Sequence, residues 1–270
     1  MRIFVAIIML IGLPLVAISQ SNEENNELKF YFYWGWNRGW FTDSDISFKG
    51  ENYAFTLSNV IAKDRQSPLN LNTYLNPANI TIPQYNFRVG YFLNKHYNLS
   101  FGIDHMKYVV QQDQYVTING QIQESETAYD GTYQDDQIQI QSSFLKFEHT
   151  DGLNYFNFDL RRSDELIKAK NICLTITEGF GLGGLLPKTN AKLLQNQRHD
   201  NFHLSGYGLN IFTGLKLSFF DKFYIQTEVK GGFIHMPSIR TTPNKIDKAS
   251  QHFFFSQINI VFGGYINFKK

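Results

Sequence analysis

Apolar and polar side chains alternate with a period of two along much of this chain. In the segment FYIQTEVKGGFI (223–234), the apolar Ile225 and Val229 lie at odd-numbered positions, and the charged Glu228 and Lys230 lie at even-numbered positions. We call this odd or even position along a strand its parity. Successive side chains of a β-strand point to opposite faces. The pattern therefore predicts a strand with one apolar face and one polar face.

This strand belongs to a hairpin with unusually long arms. Residues 203–220 alternate in the same way, and Asp221-Lys222 predicts a tight turn before the return strand 223–236. Strands of soluble proteins are usually about five or six residues long, whereas a tilted strand that crosses a bilayer needs roughly nine to eleven. We therefore expect the apolar face to contact lipid and the polar face to line a lumen.

Similar stretches recur along the chain and predict an all-β fold, a transmembrane antiparallel up-and-down β-barrel of about ten strands. Merging the strands predicted at the start of the chain would give eight strands in total. Counting a hairpin within 112–151 as spanning the membrane would give twelve. In each case the even number places both termini in the periplasm. The expected strands cover residues 28–37, 40–49, 52–62, 84–94, 96–111, 152–162, 170–184, 203–220, 223–236 and 250–268.

The connections between these strands include short turns and long polar segments. Short turns, expected on the periplasmic side, fall at 94–96, 163–169 and 221–222. Long polar segments, expected to be extracellular, fall at 63–83, 112–151, 186–202 and 237–250. The excursion 112–151 contains the hairpin signals Asn119-Gly120 and Asp130-Gly131, so we expect it to project beyond the membrane.

One predicted strand does not fit a simple alternation. In 170–184, Glu178 shares parity with Ile176 and Phe180, which would turn its carboxylate toward lipid. A β-bulge beside Gly179 would reverse the phase of the strand. We expect this bulge, because it keeps Glu178 in the lumen.

The N-terminal segment predicts export. Arg2 is followed by an apolar run over 3–16, and the motif Ala17-Ile18-Ser19 supplies the small residues that a signal peptidase reads. Residues 1–19 are therefore expected to be a signal peptide and residues 20–270 the barrel. The predicted location is the bacterial outer membrane.

Composition argues against several classes of function. The chain has 25 basic and 24 acidic residues, and this balance argues against nucleic acid as a partner. Cys173 is the single cysteine, so no internal disulfide framework can form, and no CxxC or HExxH metal motif occurs. We expect no metal and no cofactor. The 25 Phe and 15 Tyr residues fit the aromatic girdles of a membrane barrel.

Several blocks of the sequence resemble a group of small bacterial outer-membrane barrels to which no activity is attached. The last strand alternates up to Phe268, which resembles the C-terminal signal read by the barrel-assembly machinery, although Lys269 and Lys270 follow it. The resemblance implies the barrel and its location and carries over no catalytic residue. The blocks are SDISFKG, IAKDRQSP, ITIPQYNFRVGYF, FGIDHMKYV, FEHTDGLNY, LLPKTN and KASQHFFF.

Parity assigns seven charged side chains of nearly balanced sign to the lumen. A small barrel has an interior about wide enough for side chains to fill, so we expect these groups to form a plug of ion pairs and hydrogen bonds. The alternative is a narrow polar channel for small solutes. The seven residues are Arg88, Asp104, Asp159, Arg161, Lys216, Glu228 and Lys230.

A first candidate for catalysis is the pair His203 and Ser205, expected on one outward face with Tyr207. The pair resembles the HxS element of outer-membrane lipid A deacylases, in which serine is the nucleophile and histidine its base. Gly206 stands where those enzymes have asparagine. The resemblance covers these two residues alone and implies a lipid hydrolase.

A second candidate combines Asp104-His105 with His149-Thr150-Asp151. Acidic and histidine groups near an extracellular rim are similar to those of the omptin proteases. Adjacent residues of a strand face opposite ways, so Asp104 and His105 could act together only across a bulge. The alternative is that His149 and Asp151 shape the end of the long loop.

The leading hypothesis is a monomeric, non-enzymatic barrel with a structural or surface-interaction role. Its expected partners are outer-membrane lipid and a ligand bound through the extracellular loops. A lipid hydrolase using Ser205 and His203, and a narrow channel, are the alternatives. The aromatic stretch YFYWGWNRGW (31–40) would form an interfacial girdle or stack on glycans.

Overall fold

The computed structural model describes residues 28–79, 82–149, 151–194 and 196–268. The predicted signal peptide, 1–19, lies outside these ranges. β-Strands make up most of the described chain. Within these ranges, no helix is long and apolar enough to cross a membrane.

The described secondary structure consists of seventeen strands, one short helix and one 3-10 turn. The helix α1 (Leu71–Leu75) is capped by Asn70, whose Oδ1 accepts a hydrogen bond from the backbone N–H of Thr73 at 2.7 Å, and the 3-10 turn (Pro77–Asn79) follows it. The strands are β1 (Leu28–Phe41), β2 (Ser44–Lys49), β3 (Tyr53–Val60), β4 (Ala62–Lys63), β5 (Tyr85–Phe92), β6 (Tyr97–Asp104), β7 (Tyr108–Val110), β8 (Tyr115–Ile122), β9 (Gly131–Gln139), β10 (Leu145–His149), β11 (Tyr155–Ala169), β12 (Ile172–Leu185), β13 (Lys188–Leu193), β14 (His199–Phe202), β15 (Gly206–Phe219), β16 (Phe223–Arg240) and β17 (Lys248–Phe268).

Eight of these strands form a ring in which each strand is antiparallel to the next. Their order is β1, β5, β6, β11, β12, β15, β16 and β17. β17 then pairs with β1 over fourteen residue pairs, from Leu28–Phe268 to Phe41–Phe255, and this pairing closes the ring. The predicted antiparallel up-and-down barrel is confirmed.

The outer face of the ring is apolar. On β15, Leu209, Ile211 and Leu215 are each about half exposed, whereas Asn210 and Phe212 between them are buried. A soluble protein rarely exposes contiguous apolar surface of this extent. On strands long enough to cross a bilayer, such rows form the lipid-facing band of a membrane barrel.

The ring contains eight strands, not ten. The segments 40–49 and 52–62, expected to span, form β2 and β3, and neither belongs to the ring. The turn predicted between them is present, with Gly50 N donating to Tyr53 O at 2.9 Å. Their alternation reflects burial of side chains such as Phe48 against a protein core. A period of two shows that one face is buried but not what buries it.

The long connections of the ring fold together at one end, into a unit that we call the loop module. β17 is 21 residues long, and its first four residues, 248–251, pair with β2. From there the sheet continues through β3, β8 and β9, and a second sheet has the order β14-β13-β10-β7-β4. At the opposite end, which we call the turn end, the described residues form short turns, and β1 begins and β17 ends there.

One hydrophobic core joins the two sheets of the loop module. The ring centroids of Phe48 and Phe147 lie 5.8 Å apart across the sheets, and those of Phe55 and Phe144 are also separated by 5.8 Å. Each of these four side chains is at most 3% exposed. The same core continues into the ring through residues such as Phe253. Burial of each phenylalanine stabilises the module by about 1.5–3 kcal/mol.

The predicted excursion 112–151 supplies β8, β9 and β10 to the loop module. Asp130-Gly131 lies where the hairpin connection enters β9, as expected. Asn119-Gly120 does not form a turn, because Gly120 lies inside β8 with a φ of 126° and the pairing register shifts beside it. This is a β-bulge. A Cβ at Gly120 would lie 2.2 Å from the carbonyl oxygen of Ala54, so only glycine fits.

The hairpin of β11 and β12 differs from expectation in two respects. Residues 163–169, expected as a turn, continue β11, and residues 170–171 make the turn. Glu178 is exposed on the outer face, and the pairing of β12 has no register shift beside Gly179, so the expected bulge is wrong. Glu178 lies opposite Arg162. The opposite charge on the neighbouring strand stabilises the outward carboxylate.

Candidate functional site

The structure places all seven predicted lumen residues on the inner face of the ring. Each is at most 7% exposed. Charged side chains buried to this extent need partners that compensate for the loss of water. The residues are Arg88 on β5, Asp104 on β6, Asp159 and Arg161 on β11, Lys216 on β15, and Glu228 and Lys230 on β16.

Asp159 is the centre of a buried ion-pair network. Its Oδ2 lies 2.8 Å from Arg88 Nη1 and 2.9 Å from Arg161 Nη2. Arg161 Nη1 donates in turn to Glu228 Oε2 at 2.7 Å, and the guanidinium lies over the ring of Phe212, 3.9 Å from its centroid. Arg161 is therefore held by two carboxylates and an aromatic face.

Asp104 is the second node of the network. Its Oδ2 accepts hydrogen bonds from Lys230 Nζ at 2.6 Å and from Asn157 Nδ2 at 3.1 Å, and its Oδ1 accepts from Asn86 Nδ2 at 2.6 Å. Together with the residues around Asp159, the network joins three carboxylates to three cations. Its net charge is zero, which reduces the cost of burying the ions.

Side chains fill the middle of the lumen. Arg88 and Lys230 have no exposed surface, and the Tyr33 hydroxyl accepts from Arg88 Nε at 2.9 Å and from Arg161 Nη2 at 3.3 Å. A cavity of about 10 Å³ lies beside Arg161 and Lys216, which is about the space of one water molecule. This is the packing expected inside an eight-stranded barrel.

Lys216 is held by aromatic rings. It lies nearer the turn end, and among the described residues it forms no ion pair. Its Nζ lies 5.5 Å from the ring centroid of Tyr265, 5.6 Å from that of Tyr224 and 5.8 Å from that of Phe92. The negative faces of these rings stabilise the ammonium group.

The aromatic stretch 31–40 divides between the two faces of β1. Tyr31 and Tyr33 point into the lumen, where they are 6% and 1% exposed. Phe32 and Trp40 are exposed on the outer face. The outward side chains suit an interfacial girdle, whereas the inward tyrosines belong to the hydrogen-bonded filling of the ring.

The structure does not place Ser205 and His203 as a nucleophile and its base. Ser205 is 2% exposed, and its Oγ donates at 3.1 Å to the backbone carbonyl of His203, not to the imidazole. Both residues precede β15, which begins at Gly206. Strand parity therefore does not extend to them, and the expected outward face shared with the exposed Tyr207 is not formed.

The second catalytic candidate is not brought together as a set, although His105 and Asp151 line one groove. Asp104 points into the lumen, whereas His105 lies at the rim of the ring. His149 is buried in the core of the loop module, and Asp151 accepts a hydrogen bond at 2.6 Å from Lys188 near the surface. These acidic and histidine groups have separate partners and form no catalytic arrangement.

His149 makes the stability of the loop module depend on pH. Burial lowers its pKa from 6.5 to about 3, and its Nε2 is buried with no hydrogen-bond partner among the described residues. Between these two values the unfolded chain binds a proton that the folded module excludes. The contribution of His149 to the free energy of unfolding is therefore intact above pH 6.5 and declines by about 1.4 kcal/mol per unit as the pH falls toward 3.

We expect the loop module to be about 2 kcal/mol less stable at pH 5 than at pH 7 through this histidine alone. Pulse proteolysis at a series of pH values measures the effect. In the variant His149→Gln, the part of the slope that His149 causes should disappear. An unchanged slope in that variant would show that other groups cause the pH dependence.

A groove of about 620 Å³ lies at the loop-module end of β6 and β11. Its volume falls within the range of ligand pockets, roughly 300–1,000 Å³. No motif marks it, and the outward row of Phe101 and Ile103 ends with β6 at Asp104, so strand parity could not assign His105 and Lys107 to the groove. Its lining includes apolar walls and a few polar groups: Ile103, His105, Lys107, Asn154, Phe156 and Phe202.

The hydrogen bonds of Asn154 determine which nitrogen of His105 bears the proton. Asn154 Nδ2 donates to the backbone carbonyls of Gly152 and Leu186, so Oδ1 is the atom that accepts from His105 Nδ1 at 2.8 Å. Burial lowers the pKa of His105, and its ring stacks on Tyr85 with centroids 4.8 Å apart. The neutral ring thus carries its proton on Nδ1, and Nε2 is an acceptor.

No protein-family model matches the chain, and no curated protein matches it either. Among solved structures, it is similar to Ail, the attachment invasion locus protein of Yersinia pestis, at 10% identity and a TM-score of 0.34, over 89% of this chain and 99% of that one. It is similar to OprG from Pseudomonas aeruginosa at 9% identity and a TM-score of 0.37, over 88% and 96% of the two chains. Neisserial surface protein A gives 9% identity and a TM-score of 0.31, over 85% and 96%.

These neighbours are bacterial outer-membrane proteins with β-barrel folds. The architecture of this chain follows from its own features. Its antiparallel ring closes without a free strand edge, its outer face is apolar, and its inner face is polar and paired. The chain therefore has the fold of a membrane-spanning antiparallel β-barrel.

Proposed function

We propose that the ring is a closed anchor that displays the loop module at the cell surface, where the module serves a structural or interaction role. The observation that carries this proposal is the core shared by the long connections. Phe48, Phe144 and Phe147 come from two different connections and are buried together. Independent flexible loops would not require such a core, whereas a displayed domain does.

The filled interior argues against the channel alternative. Any solute would have to displace Arg88, Asp159 and Arg161 from a network that neutralises their charges. Breaking a buried pair costs roughly 3–5 kcal/mol. We therefore propose that the ring does not conduct, and planar-bilayer recordings of the purified protein should show no single-channel current.

We also propose that the protein acts as a monomer without enzymatic activity. The ring leaves no unpaired strand edge in the membrane through which a second copy could pair. The hydrolase alternative is not favoured, because Ser205 is buried and its Oγ donates to a backbone carbonyl. Surrounding lipid and a ligand of the loop module are the proposed partners.

The test of surface display uses cysteines at the two ends of the molecule. Ala128, in the connection between β8 and β9, and Lys170, in the turn after β11, are both exposed. Intact cells carrying Ala128→Cys should react with a membrane-impermeant maleimide. Cells carrying Lys170→Cys should react only after the outer membrane is permeabilised.

The unmodified protein provides the baseline of this experiment, because Cys173 is its only cysteine and is 8% exposed on the inner face. Labelling of Lys170→Cys but not of Ala128→Cys in intact cells would place the loop module in the periplasm. That outcome would overturn the proposal of surface display.

A further inference from the structure

The groove at the rim opens onto the lipid-facing surface of the ring. Its walls include Ile103 on β6 and Phe156 on β11, and these residues pair directly across the two strands. The next residues of the same outward rows, Phe101 and Phe158, are 46% and 63% exposed, with ring centroids 4.9 Å apart. A chain lying on this apolar surface could therefore enter the groove without leaving the membrane.

The groove ends in the ammonium group of Lys107. Lys107 lines it, and among the described residues Lys107 forms no ion pair. Its Nζ donates one hydrogen bond, to the backbone carbonyl of Ile82 at 2.7 Å. An ammonium group has three N–H donors, so two are left for a ligand. His105, 7% exposed, lies on the same lining and offers Nε2 as an acceptor.

The acidic residue that lines the groove, Asp151, already has a hydrogen-bond partner. Asp151 accepts a hydrogen bond from Lys188 Nζ at 2.6 Å. A second carboxylate near Lys107, that of Asp64, accepts from the backbone N–H of Gly39 at 2.9 Å and from the side chain of Gln84. Both carboxylates are held by other donors, which leaves the ammonium group of Lys107 available to an anion.

We propose that this groove binds a phosphate-bearing lipid of the surrounding membrane leaflet, with the acyl chain along Ile103 and Phe156 and the phosphate at Lys107. A charge-assisted hydrogen bond from an ammonium group to a phosphate oxygen is among the stronger polar contacts. The neutral His105 ring accepts a hydrogen bond from a headgroup hydroxyl. The site would fix one lipid at the point where the ring meets the loop module.

The occupant is a lipid and not a soluble anion or a protein segment because of where the groove opens. The apolar wall and the cation follow each other along the chain, from Phe101 and Ile103 on the outer face of β6 to His105 and Lys107 just after that strand. That order is apolar first and charged last toward the loop module. It matches the order of acyl chain and headgroup in a leaflet.

The experiment measures lipid retention by native mass spectrometry of the full-length protein in a neutral detergent. The probes are phosphatidylglycerol, diacylglycerol, which lacks the phosphate, and inorganic phosphate, which lacks the chain. We expect one phosphatidylglycerol per protein, bound at least about tenfold more tightly than either other probe.

Variants locate the site. Lys107→Gln should weaken phosphatidylglycerol binding by about tenfold or more, since it removes a hydrogen bond to a charged group. Lys107→Arg should retain binding because it keeps the charge. Lys168→Gln is the matched control, since Lys168 is an exposed lysine near the turn end, and it should leave the affinity unchanged. Heat-modifiable migration on gels verifies that each variant is folded.

Three outcomes would overturn the proposal. Equal affinities in Lys107→Gln and Lys168→Gln would mean that lipid associates with the outer band alone. Diacylglycerol binding as tightly as phosphatidylglycerol would remove the role of the phosphate. Inorganic phosphate binding as tightly as the lipid would indicate a site for a free anion.

Discussion

Replacing Asp159 with alanine lowers the free energy of unfolding of the ring by roughly 3–5 kcal/mol. Asp159 Oδ2 is within 2.9 Å of both Arg88 and Arg161, and none of the three is more than 3% exposed. Without the carboxylate, two guanidinium groups are close together in a dry interior with one compensating charge fewer. Chemical unfolding of the protein in lipid vesicles, followed by the gel shift of the folded ring, measures the loss.

The matched control for this prediction is Glu165→Ala on the same strand. Glu165 pairs with Lys168 at 3.7 Å, and both side chains are about half exposed. An exposed pair of this kind contributes less than about 1 kcal/mol. If Asp159→Ala lowers the free energy of unfolding no more than the control does, water enters the lumen and screens the network. That result would support the channel hypothesis.

Parity was sufficient to predict the inward position of the lumen residues. The ring strands keep a period of two around these residues, so Arg88, Asp159 and Lys230 could be assigned to one face without knowledge of their neighbours. Their partners could not be predicted in the same way. Asp159 meets Arg88 because β6 lies between β5 and β11, and the registers of both pairings decide which side chains face each other. The period of two decides which face a side chain is on, but not how far two paired strands are offset along their length.

The loop module shows why a strand pattern alone overcounts spanning strands. β2 has the strictly alternating burial expected of a membrane strand, yet its apolar side chains pack on Phe147 of a second sheet. A lipid-facing row and a row facing a protein core are both apolar, so the sequence could not separate them. Length did not separate them either, because the alternation predicted a strand over 40–49, whereas β2 has six residues.

The catalytic candidates failed for a related reason. His203 and Ser205 are two residues apart, which places them on one face only if the strand has already begun. β15 begins at Gly206, and the backbone before it follows other hydrogen bonds, with Ser205 N donating to Leu185 O at 2.9 Å. The groove at the rim, by contrast, is built from several segments that only the fold brings together.

Replacing Phe147 with alanine is expected to destabilise the loop module by about 3–5 kcal/mol while leaving the ring intact. Phe147 is 1% exposed and lies between the two sheets, with its ring centroid 5.8 Å from that of Phe48 and 5.2 Å from that of His149. Truncation leaves a cavity that two hydrogen-bonded sheets can close only in part. Pulse proteolysis should therefore cleave the module at lower denaturant concentration than in the wild type.

The control is Tyr115→Ala, which removes an aromatic ring from β8 of the same module. Tyr115 is 69% exposed, so its loss should change stability by no more than about 0.5 kcal/mol. The gel shift of the ring, recorded in the same samples, distinguishes two architectures. If the ring keeps its shift while the module of Phe147→Ala is cleaved, the barrel is an anchor that folds independently of what it displays. If both are lost together, the core that runs from Phe147 to Phe253 couples them, and the stability of the ring depends on the loop module.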